Sequence, residues 1–196
     1  MKTLEIVGFK RANLGKSQAK ALRAEGNVPC VVYGAGDQVH FHTPMILFRD
    51  LIYTPNAHFV DLNIEGDVRR CILQDAQFHP VSEIIMHADF LELTDGRAVK
   101  MQIPVRLEGT APGVQQGGKL VTKQRRLLVK ALPENMPEFI KVDVSALDLG
   151  KSIKVGQLEK GNFEVITSEN LPVVSVDIPR ALRGKQQTEE GEEVAA

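Results

Sequence analysis

Five bases, Lys10, Arg11, Lys16, Lys20 and Arg23, stand between Lys10 and Ala24 with no acid among them. Ser17 as an N-cap and Gly26 as a stop predict a short helix in this stretch. On that helix Lys16, Lys20 and Arg23 fall at i, i+4 and i+7, so their side chains project from one face. A proline-led apolar strand follows, Pro29 to Val32, and ends in Tyr33-Gly34. A cationic helical face beside an aromatic at a strand end suits RNA, because the cations meet phosphates and the ring packs on sugar or base. The competing reading of the same residues is a solvated helix face and a core tyrosine.

Other chemistries fail on specific missing parts. Gly15-Lys16-Ser17 before a helix resembles a phosphate-binding loop, but that motif needs a glycine five residues before Gly15, where Lys10 stands. His40 and His42 share one side of a short strand with no third ligand nearby, so no metal is expected. His87 and Asp89 have the types for acid–base work, yet no nucleophile motif or glycine-rich oxyanion loop accompanies them, so no enzyme and no cofactor are expected. Cys30 and Cys71 lie in separate apolar runs with no CxxC, which reads as two buried reduced thiols.

The 196-residue chain has ordinary globular composition, 43% apolar and 25% charged, with a formal net charge of −1. Met1 to Thr94 carries nine Lys/Arg against eleven Asp/Glu, and five of those nine bases crowd into the opening stretch. Bulk charge therefore cannot bind nucleic acid here; only a local patch can. No signal-peptide pattern and no run of about 18 apolar residues is present, so the expected place is the cytoplasm, with no membrane contact.

The elements that must position these groups are mostly strands. Met1–Phe9, Val31 onward, Val39–His42, His58–Ile64, Val68–Phe78 and the run ending Phe90–Leu93 alternate or are apolar, with Gly66-Asp67 turning a hairpin. Thr43-Pro44 reads as a helix start, a cap followed by proline, for a helix reaching Tyr53. The fold class is mainly β with a few short helices (α+β): a six-stranded β-barrel-like domain over 1–93, then a second β-rich domain over 94–180. Asp95-Gly96 is a hairpin-type turn between them, and Gly113 to Gly118 is a flexible loop. Residues 181–196, ending EEGEEVAA, read as a disordered acidic tail.

Several of these residues recur in a fixed order: Arg11, Gly15-Lys16, Lys20, Leu22-Arg23, Pro29, Tyr33-Gly34, then Gln74-Asp75, His79-Pro80 and His87-x-Asp89-Phe90. In this the chain resembles the bacterial ribosomal protein L twenty-five family, also called general stress protein Ctc. The GVQQGGKL loop and the run LPENMPEFIKVDVSALDLGKSIKV resemble the extra β domain of its longer members. The resemblance implies a component of the large ribosomal subunit, a monomer within the ribosome, that binds 5S ribosomal RNA through its first domain and touches neighbouring large-subunit proteins. It implies RNA contact by Arg11, Lys16, Ser17, Lys20, Tyr33, Arg70, Gln74, His87 and Asp89, with Arg23 added from the helical face. Ala12 and Ala21 stand where some members carry further bases, which thins the patch.

Residue chemistry divides the labour within that set. Lysines and arginines neutralise phosphates and supply affinity without sequence information. Gln74 has donor and acceptor and can read a base edge or a ribose. Asp89 is repelled by phosphate, so beside RNA it demands a donor such as a base amino group, and it discriminates. His87 either donates to phosphate or ribose or orients Asp89. Two rival functions are a stress-linked partner-binding protein acting off the ribosome and a hydrolase working through His87 and Asp89.

Overall fold

In a computed structural model, which describes residues 1–94, 96–158 and 161–179, the first six strands close into a barrel. They are β1 (Lys2–Lys10), β2 (Asn27–Tyr33), β3 (Val39–Pro44), β4 (His58–Ile64), β5 (Asp67–Phe78) and β6 (Ile85–Glu92), arranged around the barrel as β1-β3-β2-β6-β5-β4. Two of the six pairings are parallel, β1 with β4 and β2 with β6. Alternation sends one set of side chains inward. Ile6, Val28, Cys30, Val32, Phe41, Leu62, Ile64 and Phe90 meet there, with the Phe41 and Phe90 ring centroids 5.8 Å apart. Phe48 packs on Phe90 at 6.2 Å.

Between β1 and β2 lies α1 (Lys16–Ala24), which packs beside β2. Ser17 does not cap it. The N-cap is Gly15, in extended backbone and with no side-chain cap, and the first helical bond runs from Ala19 N–H to the Gly15 carbonyl. Gly26 does end it, at φ +80. The expected helix after Thr43-Pro44 is also different. Both residues belong to β3, and Thr43 is fully buried with its hydroxyl donating to the Val7 carbonyl at 2.6 Å. A single turn of 3-10 helix (Met45–Phe48) and then α2 (Arg49–Ile52) follow, so a barrel contact wins over a cap.

The remaining strands are β7 (Val99–Glu108), β8 (Lys119–Thr122), β9 (Arg126–Ala131), β10 (Ile140–Asp143), β11 (Ser152–Lys154), β12 (Glu164–Val165) and β13 (Pro172–Asp177). They form a sheet β10-β7-β9-β12 and a sheet β11-β13-β8. The expected flexible loop at Gly113 instead opens with α3 (Pro112–Gln115), whose first turn has proline where no N–H is needed. Gly113 N–H donates to the Leu147 carbonyl, and Gly118 N–H to that of Gly113. By packing, the chain divides into one unit of Met1–Ile103 with Lys130–Glu138 and another of Pro104–Val129 with the chain from Phe139 on. The acidic tail and Asp95 of the Asp95-Gly96 turn lie outside the described residues.

Gly34 leaves β2 at φ +132, where a Cβ would sit 2.9 Å from Leu91 Cδ1 and 3.0 Å from the Glu92 carbonyl oxygen. Gly34→Ala is expected to lower stability by about 1–3 kcal/mol, read from urea unfolding; an unchanged midpoint would contradict this account of the β2 exit.

Candidate nucleic-acid interface

Parallel pairing of β2 with β6 puts Cys30 beside Ala88, Val31 beside Asp89 and Tyr33 beside Leu91. Cys30, Val32, Ala88 and Phe90 belong to the core, so by alternation Val31, Tyr33, His87 and Asp89 face outward. Tyr33 is half-buried on this outer face and is not a core ring.

On the other side of β6, β5 presents Gln74 through a defect. Leu73 pairs with Phe90 and Asp75 with Asp89, which leaves Gln74 as an extra residue in a β-bulge. Such bulges bend a strand and re-aim a side chain. Gln74 is exposed there, next to Asp89. His87 pairs with Gln77, and its Nδ1 lies 2.6 Å from Asp89 Oδ1. The contact is an ion-pair contact and not a well-directed hydrogen bond, and that oxygen is buried. Asp75 stands directly opposite Asp89, a like-charge pair that sheets disfavour. Two carboxylates and an amide on one outer patch call for a ligand bearing hydrogen-bond donors.

The cationic border comes from α1. A second bulge makes Met86 the extra residue on β6, between the pairs Gln77–His87 and Phe78–Ile85. Arg23 Nε donates to the Met86 carbonyl at 2.9 Å. This bond turns the Lys16–Lys20–Arg23 side of the helix toward β6. Lys16 and Lys20 are exposed along that side, and Ser17 is exposed in the first turn. Arg23 is thus half-buried and committed in part to the protein.

Arg11 follows the end of β1, three strands across the barrel from Asp89. Its backbone N–H donates to the His40 carbonyl; His40 pairs with Val31, Val31 with Asp89 and Asp89 with Asp75. One lateral row of the barrel therefore runs from Arg11 to Asp75. Cys30, in the adjacent row with Phe41 and Ala88, feels both charges: burial raises its thiol pKa first, Asp89 raises it further and Arg11 lowers it. Lys10, Arg11, Asn13, Gln18, Leu22 and His42 line a cleft of about 190 Å³, and Arg11 Nε is buried there with no hydrogen-bond partner.

Arg70 is not drawn into this cluster. It lies four residues before Gln74, about 13 Å along the strand. Its Nε is held by Asp61 Oδ1 on β4 at 3.0 Å, and that hydrogen bond with the Asp61 charge raises the guanidinium pKa. Tyr33, Gln74, His87 and Asp89 thus share the outer face of β2, β6 and β5, Arg23 ties the Lys16–Lys20 side of α1 to its edge, Arg11 stands on the Gln18–Leu22 side of the helix, and Arg70 stands apart.

Two family models match the chain, the Ribosomal L25p family over residues 6–90 and the ribosomal protein TL5 C-terminal domain over residues 98–180. The chain is also 51% identical to the large ribosomal subunit protein bL25 of Cytophaga hutchinsonii over 186 residues, covering 95% of this chain and 97% of that one. It is 49% identical to the protein of the same name from Amoebophilus asiaticus, covering 97% of each. With that of Phocaeicola vulgatus it shares 43% identity over 96% of this chain and 98% of that one. The chain belongs to the bL25 family of large ribosomal subunit proteins.

Within that family it is a long form, because the L25p match is followed by the TL5 C-terminal match. The L25p stretch contains all ten residues singled out in the sequence, Arg70 included. Of two cross-strand pairings, one was legible in the sequence and one was not. Pairing of Arg70 with Asp61 was legible, since both sit three positions outside the Ile64–Asp67 turn pair. The placement of Asp75 against Asp89 was not, because the bulge at Gln74 shifts the register by one and no residue type announces it.

Arg23→Ala is expected to cost about 1–3 kcal/mol in unfolding free energy through the orphaned Met86 carbonyl, while Lys16→Ala and Lys20→Ala leave the thermal midpoint in place. Equal, negligible effects of all three would remove the structural role given to Arg23.

Proposed function

We propose that this large-subunit protein binds 5S ribosomal RNA through residues 1–93, using the outer face of β2, β6 and β5 with the cationic side of α1. The observation that carries the reading is the register, which sets Gln74 and Asp89 side by side at the edge of a helix bearing Lys16 and Lys20. A-form RNA offers a wide minor groove of 2′-hydroxyls and base edges. Lys16, Lys20 and Arg11 take phosphates there, Tyr33 packs on sugar or base, and Ser17 adds a hydroxyl at the helix start. Gln74 and Asp89 accept from base amino groups or ribose, with His87 holding or supplementing Asp89. Arg70 contributes a peripheral phosphate contact once Asp61 shares it.

The protein acts without catalysis, as a monomer within the ribosome in the cytoplasm, beside other large-subunit proteins. Residues 94–180 form the second domain of the long form. A partner-binding role off the ribosome predicts weak dependence on salt, and a hydrolase predicts turnover abolished by His87→Ala.

Lys16→Ala combined with Lys20→Ala is expected to weaken 5S RNA binding and to flatten the slope of log affinity against log salt by roughly one to two units in a filter assay. Unchanged affinity and slope would refute the basic edge. Asp89→Asn tests discrimination: the preference for 5S RNA over an unrelated duplex should fall by roughly 1–3 kcal/mol, with the salt slope retained. A preference that survives intact would refute the role of the carboxylate.

A further inference from the structure

The β5–β6 hairpin runs past the barrel. β4 pairs with β5 only as far as Cys71, and β2 pairs with β6 only from Ala88 onward. The last residues, Gln77-Phe78 and Ile85 to His87, pair with each other alone. A two-stranded ribbon is marginal by itself, yet this one is braced. His79 N–H donates to the Ile84 carbonyl at 2.8 Å, and Glu83 N–H to the His79 carbonyl at 2.9 Å. His79 Nδ1 accepts from the Ser82 N–H at 3.2 Å, and Glu83 holds a left-handed φ of +56. Ile85 anchors the base in the core.

What this frame holds out is apolar. Phe78, Val81 and Ile84 are exposed, Val81 at 86%. Three large apolar side chains within seven residues, on a loop fixed by its own hydrogen bonds, make a preformed knob rather than scattered surface residues. Its charge has one sign. From Cys71 to Thr94 the sequence holds Asp75, Glu83, Asp89 and Glu92 and no Lys or Arg. Phosphate backbone is repelled by such a tip, whereas a basic protein surface is attracted.

We infer that the Phe78–Ile84 tip is a protein-docking knob, which inserts into an apolar depression on a basic protein of the large subunit. The inference rests on membership of the large subunit and not on the RNA face. Insertion buries Val81 with Phe78 and Ile84, and Glu83 meets a cation at the rim. The tip stands three residues beyond Asp75, about 10 Å along the strand, so RNA on the β5–β6 face and a protein at the tip fit side by side.

The test uses the full chain and large subunits stripped of this protein. Cys30 and Cys71 are buried, so Val81→Cys takes a thiol-linked benzophenone selectively. After rebinding and irradiation, a crosslink to a basic large-subunit protein is expected; crosslinks to ribosomal RNA alone, or none, overturn the inference. In a second arm, Phe78→Ser, Val81→Ser and Ile84→Ser together should weaken retention on the subunit roughly tenfold or more and leave affinity for isolated 5S RNA within about twofold. Unchanged retention, or an equal loss on isolated RNA, overturns it. If the unmodified chain fails to bind isolated 5S RNA while the protein crosslink forms, the RNA face falls and the knob stands.

Discussion

The parallel seam between β2 and β6 is the constraint on which the rest depends. It fixes Val31 beside Asp89 and Tyr33 beside Leu91, and so decides which residues of the two strands reach solvent together. A slip of one residue would send Asp89 and His87 into the core and Ala88 and Phe90 out of it. Core burial of Cys30, Val32 and Phe90 prevents that slip, since each is fully excluded from solvent. Polar placement outside is thus enforced by apolar packing inside.

Two bulges then adjust what the seam has fixed. One presents Gln74 beside Asp89, and the other gives up the Met86 carbonyl to Arg23. Each sacrifices a ladder pairing and gains a directed side-chain position. The helix is not strongly held otherwise: it buries none of its residues fully and has no side-chain cap. Its orientation owes much to that single guanidinium, which explains why Arg23 is half-buried while Lys16 and Lys20 are exposed.

Much of this was legible from residue order. Alternation and the Gly66-Asp67 turn gave five of the six barrel strands nearly at their observed limits, because half-buried strands carry period-two patterns. The basic stretch gave the helix and its charged side. What stayed hidden was whatever depends on partners distant in the chain. Thr43-Pro44 looks like a helix start locally, but the hydroxyl is claimed by Val7 on β1. Ser17 looks like a cap, but the helix begins at Lys16 and its N-cap is Gly15, two residues before Ser17. Register defects at Gln74 and Met86 leave no mark in composition. Nor does the parallel closure, which no local signal distinguishes from an open curved sheet.

That closure orders events in time. Lys2–Gly8 pairs with His58–Ile64, so the first strand made must wait for the fourth before its edge is covered. Contacts so far apart in sequence slow folding, and during synthesis Lys2–Gly8 emerges without its β4 partner for more than fifty residues. The seam strand β6 comes later still, at Ile85–Glu92. A nascent chain on its own ribosome therefore displays the cationic helix before the acidic neighbours that temper it exist, an interval in which attraction to nearby nucleic acid is least selective.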